Sequence, residues 1–140
     1  RDPFDLGSPV LEQLATRWLL DNAERFLPDR RRLLASQRDL CSSLMNMHFP
    51  EWQFTQPQGG LSFWVELPDT LATLFATRAE SVGIQLGTGT RFGLDGAFDR
   101  FLRMPFTLPD DTARAAFRVL QPIWDNLRLQ ASSGKMRKII

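Results

Sequence analysis

Residues 57–68 read PQGGLSFWVELP and residues 101–106 read FLRMPF, and these two stretches decide the fold. In both, every second side chain is apolar, which is the period of a half-buried β-strand. A further alternating segment, residues 52–56, precedes the proline- and glycine-rich turn. We therefore predict a hairpin-like pair of strands at 52–56 and 61–67, joined by a loop of about four residues, and another strand at 101–106.

The strand at 101–106 carries the best candidate for a binding residue. Its two faces differ, with Leu102, Met104 and Phe106 on one side and Phe101, Arg103 and Pro105 on the other. A guanidinium facing away from the apolar packing can bind a carboxylate through two parallel hydrogen bonds, and Arg103 is so placed. The simpler alternative is a surface ion pair between Arg103 and a nearby acid such as Asp99. Because Pro105 has no N–H, we expect this strand to be an edge or to pair on one side only there.

Helical periodicity covers most of the remaining chain. Apolar spacing predicts helices at about 9–26, 29–47, 70–82 and from 109 to at least 127. Ser8 is a candidate N-cap, Gly83 is a natural helix stop, and Pro122 should kink the last helix near residues 118–121. Between the third and fourth helices we predict a short strand at 84–86, a loop at 87–93 and irregular structure at 94–100.

This order of elements predicts an α+β fold, a two-layer sandwich. We expect a small, mainly antiparallel sheet of three or four strands with helices packed on one face. We assign residues 1–27 to an N-terminal loop and helix, 28–130 to a small domain and 131–140 to a tail.

Composition excludes several classes of function. The 140 residues carry 17 basic and 16 acidic groups, a net charge of +1, so no long-range field favours nucleic acid or a membrane. No apolar run approaches the roughly 18 residues that span a bilayer, and no signal peptide is recognisable. Cys41 is the one cysteine, which suits a reducing cytoplasm. The first residue is not methionine, so we expect the chain to be a piece of a longer protein.

Other candidate sites are weaker. The loop GTGT at 87–90 could hold an anion through backbone N–H groups, although a tight turn is the simpler interpretation. Arginines 30–32 could contact phosphates, but a solvated helix face is simpler. A Cys41–His48 pair would require a coincidence of folding, and the sequence contains no metal-binding or catalytic motif. We therefore expect no metal site and no catalytic residue in this chain.

Several motifs together resemble the C-terminal small domain of fold-type I pyridoxal-phosphate enzymes, the aspartate aminotransferase class. They are GGLSFWVELP at 59–68, a helix at 70–82 followed by Gly83-Ile84, a loop ending GTRF at 89–92, and LRM at 102–104. Ser8-Pro9 with Gln13 is similar to the start of that family's interdomain helix. The segment LRMPFTLP at 102–109, leading into a helix with Trp124, most resembles MocR-type regulators of the GntR family.

The resemblance implies a carboxylate-binding role for Arg103, facing an amino-acid-like effector or substrate. It implies pyridoxal 5'-phosphate bound to a lysine of a large domain in a homodimeric parent, and DNA binding through an N-terminal winged helix. Neither segment is in this sequence, whose two lysines are Lys135 and Lys138, so we expect no cofactor here. Two alternatives remain: the small domain of a true amino acid aminotransferase, and an interaction domain without a ligand.

The first predicted helix has an apolar face wider than one neighbour would cover. We predict that this face packs on the large domain or a second subunit in the parent, so the 140-residue chain should self-associate as concentration rises. Sedimentation velocity over a roughly hundredfold concentration range measures this, and an unchanging monomer would contradict an unpartnered apolar face.

Overall fold

The structure, a computed structural model, describes residues 9–137, with side chains to residue 133. Within that range the chain forms four α-helices and four β-strands. Their bounds are α1 Val10–Asp21, α2 Leu27–His48, β1 Gln53–Phe54, β2 Ser62–Glu66, α3 Ala72–Glu80, β3 Gly87–Thr88, β4 Phe101–Pro105 and α4 Asp110–Arg137. Two 3₁₀ turns occupy Ala23–Arg25 and Gly89–Phe92. No described helix is long and apolar enough to cross a membrane.

The chain divides into two compact units, with the boundary inside α2 between Leu33 and Leu34. In the first unit, the helix predicted at 9–26 is α1 followed by a 3₁₀ turn, and Pro9 takes the N-cap position. Ser8 lies outside the described residues. No residue of α1 is buried, as its wide apolar face led us to expect. The exposed apolar residues of α1 are Val10, Leu11, Leu14, Trp18, Leu19 and Leu20.

The second unit is built on a four-stranded antiparallel sheet in the order β1-β2-β4-β3. The central strands pair from Ser62 opposite Pro105 to Glu66 opposite Phe101. Strands β1 and β2 form the predicted pair, although residues 55–61 make their connection longer than the expected four residues. The third predicted helix is observed as α3, and Gly83 follows it with a φ of +83°.

The strand predicted at 84–86 is wrong, because pairing occurs at Gly87–Thr88 instead. The backbone N–H of Ile84 donates to the carbonyl of Ala79 at 3.0 Å, so this residue closes the turn that follows α3. Ile84 and Leu86 pack on the core from an irregular segment. The predicted loop at 87–93 is therefore β3 followed by a 3₁₀ turn.

Pro105 settles which of two expected arrangements β4 adopts. Strand β3 reaches only as far as Arg103, whereas β2 pairs with β4 along its whole length. Pro105 therefore has a ladder partner on one side only, which confirms the second expectation. The edge-strand alternative is wrong, since β4 lies inside the sheet.

The hydrophobic core lies between one face of the sheet and helices α2, α3 and α4. Strand residues on that face are buried, and the helices contribute large side chains; examples are Phe63, Val65, Leu102, Met45, Phe75 and Trp124. Aromatic rings fill the space beside the sheet, with Phe49 stacked on Trp52 at 3.9 Å between centroids. The other sheet face carries the alternate residues and is not covered in this way, so the predicted α+β fold with helices on one face is confirmed.

Helix α4 continues to Arg137, through residues 131–137 where the sequence shows no periodicity. Two side chains of α4 donate hydrogen bonds to one carboxylate in the segment before β1. The Trp124 Nε1–H and the Arg128 guanidinium donate to the Glu51 carboxylate at 2.6 and 2.7 Å. Pro122 lies inside this helix as the sequence indicates, and the kink near it stays a prediction.

Gly83 should contribute to stability only because glycine can adopt its positive φ. A residue with a side chain loses about 1–2 kcal/mol in the left-handed region, so we expect Gly83→Ala to lower the free energy of unfolding by about 1 kcal/mol. Gly59→Ala is a matched control, because neither new Cβ would meet any atom within 4 Å and only Gly83 of the two has a positive φ. Urea denaturation measures both, and equal effects would contradict this reason.

Cys41 should make stability depend on alkaline pH. It is a core residue, and burial raises the pKa of its thiol from 9.0 to about 12. In the unfolded chain the thiol loses its proton near pH 9, whereas in the folded chain it does so only near pH 12. This contribution to stability is therefore complete below pH 9 and is lost as pH rises toward 12.

We expect the free energy of unfolding of the wild-type chain to fall more steeply than that of Cys41→Ala between about pH 8 and about pH 11. The absence of tyrosine and the presence of only two lysines keep other titrations few in this range. Urea denaturation at a series of pH values tests this. Parallel profiles for the two proteins would contradict the stated cause.

Candidate functional site

Arg103 lies in the middle of β4 with its side chain exposed, between the buried Leu102 and Met104. It faces the side of the sheet opposite the core and is directly across from Trp64 of β2. The placement predicted from the alternating sequence is therefore confirmed. Binding of a carboxylate by this residue stays a prediction.

The alternative partner of Arg103, Asp99, is engaged elsewhere. The Asp99 carboxylate accepts hydrogen bonds from the backbone N–H of Thr73, at 3.1 Å, and from the Thr73 hydroxyl. Its carbonyl accepts from the N–H of Ala72, so Asp99 caps the first turn of α3 from a distant part of the chain. Among the described side chains, no carboxylate oxygen lies within 4.0 Å of the Arg103 guanidinium.

The Arg103 side chain lies beside an aromatic ring and a glycine. Its Cζ is 5.8 Å from the centroid of Phe92, a favourable distance for a cation above a ring face. Gly87 of β3 pairs with Arg103, and a Cβ at Gly87 would lie 3.5 Å from the Arg103 Cβ and 3.7 Å from its Nε. These are ordinary van der Waals distances, so the Arg103 side chain packs directly against the backbone of β3.

Four rings beside Arg103 form what we call the open-face aromatic cluster, Trp64, Phe92, Phe98 and Phe101. Trp64 stacks on Phe101 at 5.5 Å with an interplanar angle of 13°. Its ring also meets Phe92 and Phe98 edge to face, at 5.5 and 6.0 Å. Trp64 is 40% exposed, so the cluster packs against the sheet yet offers apolar surface to solvent.

The turn before the cluster requires close backbone packing. A Cβ at Gly89 would lie 2.3 Å from the carbonyl oxygen of Phe98, a distance that forces a rearrangement. Phe98 itself has a φ of +64°, which is unusual for a bulky residue and costs about 1–2 kcal/mol. The backbone is thus strained at Phe98, the residue that brings a third ring to Trp64.

A polar groove extends from Arg103 along the edge of the sheet, between α3 and the segment 85–91. It has a volume of about 420 Å³, within the range of small-molecule sites, which is roughly 300–1,000 Å³. Charged and hydroxyl side chains line it, including Thr73, Thr77, Glu80, Thr88, Arg91 and Arg103. We call it the Arg91–Arg103 groove.

The sequence analysis missed Arg91 and Glu80. Arg91 lies in the GTRF segment and Glu80 in the third predicted helix, but neither was assigned a role. The structure brings them together from a 3₁₀ turn and from the end of α3. The only signal was the position of Arg91 directly after the GTGT segment. That segment begins as a strand and continues as a tight turn, and the hydroxyls of Thr88 and Thr90 are 2.9 Å apart.

The other candidates do not form a site. Arg32 pairs with Asp29, and arginines 30–32 are exposed on α2, as expected for a solvated helix face. Cys41 and His48 are both on α2 about 10 Å apart along its axis, and His48 Nδ1 is 2.6 Å from Gln121 Oε1. Among the described residues, no group of three or more metal-ligating side chains is close enough to hold an ion.

Sequence comparisons give no match for this chain, either to a protein-family model or to a curated protein. Comparison with solved structures does find similar proteins. LysN, the α-aminoadipate aminotransferase of Thermus thermophilus solved with N-(5'-phosphopyridoxyl)-L-leucine, aligns with a TM-score of 0.80. The alignment has 24% identity and covers 90% of this chain and 33% of that enzyme.

Two further aminotransferases align in the same way. The kynurenine aminotransferase of Pyrococcus horikoshii has a TM-score of 0.75 and 24% identity, over 87% of this chain and 31% of that one. An archaeal alanine:glyoxylate aminotransferase has a TM-score of 0.71 and 21% identity, over 89% and 32%. The chain thus spans about a third of the length of these enzymes. It has a fold that occurs as a segment of aminotransferases.

Proposed function

We propose that this chain is the C-terminal small domain of the aminotransferase-like part of a MocR-type transcriptional regulator, and that Arg103 binds the carboxylate of an amino-acid-like effector. One observation carries the proposal: Arg103 is exposed on the open sheet face, with no carboxylate partner among the described side chains. The aminotransferase-like fold and the LRMPFTLP segment at 102–109 support it.

The setting of Arg103 suits carboxylate binding. Its backbone is held by ladders on both sides, from Trp64 in β2 and from Gly87 in β3. Contact with the Phe92 ring limits the side-chain conformations that binding would have to order. A guanidinium held this way presents two parallel N–H donors, the geometry that a carboxylate accepts best.

Regulation would follow from differential binding. A ligand shifts a conformational equilibrium only when it binds one state more tightly, so Arg103 would contact the ligand in one arrangement of the parent and not in another. In our proposal, DNA affinity changes with that arrangement, and DNA is bound by a winged helix outside these 140 residues. We propose that the parent is a cytoplasmic homodimer.

We propose that no residue of this chain is the attachment site for pyridoxal phosphate. The cofactor attaches through a lysine, and both lysines are in the last six residues, Lys135 in the final turn of α4 and Lys138 beyond the described residues. The chain also contains no tyrosine whose hydroxyl could hold the phosphate group. We propose that other parts of the parent hold the cofactor.

The test uses the full-length parent and a gel shift on its own promoter, with the common L-amino acids screened as effectors. For an amino acid that changes retardation, we expect Arg103→Ala to require roughly 30- to 1,000-fold more of it, because a bidentate charged contact is lost. Arg118→Ala, an exposed arginine on α4, is the control and should respond like the wild type.

The outcomes separate the alternatives. An unchanged response of Arg103→Ala would show that this residue does not bind the effector. Transamination by the parent without retardation of DNA under any condition would reject the regulator and favour the small domain of a true aminotransferase. Binding of neither amino acids nor DNA would favour an interaction domain without a ligand.

A further inference from the structure

The groove beside Arg103 contains a second arginine, and we propose that Arg91 binds a second anionic group of the ligand. The site would then select acids that carry two anionic groups over acids that carry one. This inference rests on the proposed function, because it assigns the first carboxylate to Arg103. Arg91 is thereby a specificity-determining residue, for which neither the sequence motifs nor the comparisons provide a role.

Both arginines line the same groove because of how the chain runs there. Arg91 lies in the 3₁₀ turn Gly89–Phe92, which begins directly after β3. Strand β3 pairs with β4 through Gly87 and Arg103, so the turn continues from the strand next to Arg103. Phe92, adjacent to Arg91 in the chain, is the ring that Arg103 contacts. The two cations thus belong to one packed substructure.

The lack of acidic partners distinguishes these two arginines from a neighbour in the same region. Arg100 forms an ion pair with Glu66 at 3.4 Å and donates to the carbonyls of Leu67 and Pro68. The charge of Arg100 is therefore already paired within the folded chain. Neither Arg91 nor Arg103 forms an ion pair with any described side chain, which leaves both guanidiniums available to a ligand.

The remaining polar groups of the groove make the arginines its main donors. The hydroxyls of Thr73 and Thr77 donate to Asp99 and to the Thr73 carbonyl, and that of Thr88 pairs with Thr90. Glu80 contributes one negative charge to the lining, so the groove carries a net charge of +1 from two arginines and one glutamate. Such a groove favours anionic ligands over neutral ones.

The experiment compares glutarate with butyrate, two acids with similar chains that differ by one carboxylate. Each is titrated into the 140-residue chain at fixed ionic strength, and binding is followed by nitrogen-15 NMR spectra, which also report whether each variant is folded. We expect wild type to bind glutarate about fivefold more tightly, the scale of one solvent-accessible ion pair. Arg118→Gln, outside the groove, should behave identically.

Three variants decide the result. Arg91→Gln should abolish the preference for glutarate, because it weakens glutarate binding more than butyrate binding, and Arg91→Lys, which keeps the charge, should retain part of the preference. Arg103→Gln should weaken the binding of both acids. This pattern supports the role of Arg91.

Failure of this inference is distinguishable from failure of the proposed function. If Arg91→Gln keeps the preference while Arg103→Gln weakens both acids, Arg91 has no such role and Arg103 remains the carboxylate-binding residue. If Arg103→Gln changes neither affinity, or if the wild-type chain binds neither acid, both the inference and the carboxylate-binding role of Arg103 are overturned.

Discussion

The antiparallel ladder between β2 and β4 is the interaction on which the rest of this structure depends. Its register sets Phe63 and Val65 beside Leu102 and Met104 on the buried face, where helices α2, α3 and α4 cover them. The same register sets Trp64 opposite Arg103 on the other face. Because side chains alternate strictly along a strand, a slip of one residue would bury the arginine and expose the core.

The open face is organised by the chain between β3 and β4. The glycine at 89 allows a close approach to the backbone of Phe98. Phe98 in turn takes a strained conformation and completes the open-face aromatic cluster around Trp64. An exposed guanidinium is thus bordered by rings on one side and by a polar groove on the other.

Much of the fold could be read from the sequence because its signals are local. The periods of the helices and of β2 and β4, and the helix stop at Gly83, follow from side chains close together in the chain. Strand β3 was misplaced, since its two residues have no alternation and become a strand only by pairing with Leu102 and Arg103. The Asp99 cap on α3 and the position of Arg91 likewise arise from contacts between distant segments.

The sequence by itself determined which face of β4 carries Arg103, because alternation along a strand needs no knowledge of the partner strands. Composition also showed that both lysines of the chain lie within its last six residues. Only the tertiary structure decided that Asp99 bonds to α3 rather than to Arg103. It also decided that Arg91 and Glu80 line the same groove as Arg103. Those outcomes depend on contacts between segments that are distant in the chain, and periodicity reports only on residues that are close together in it.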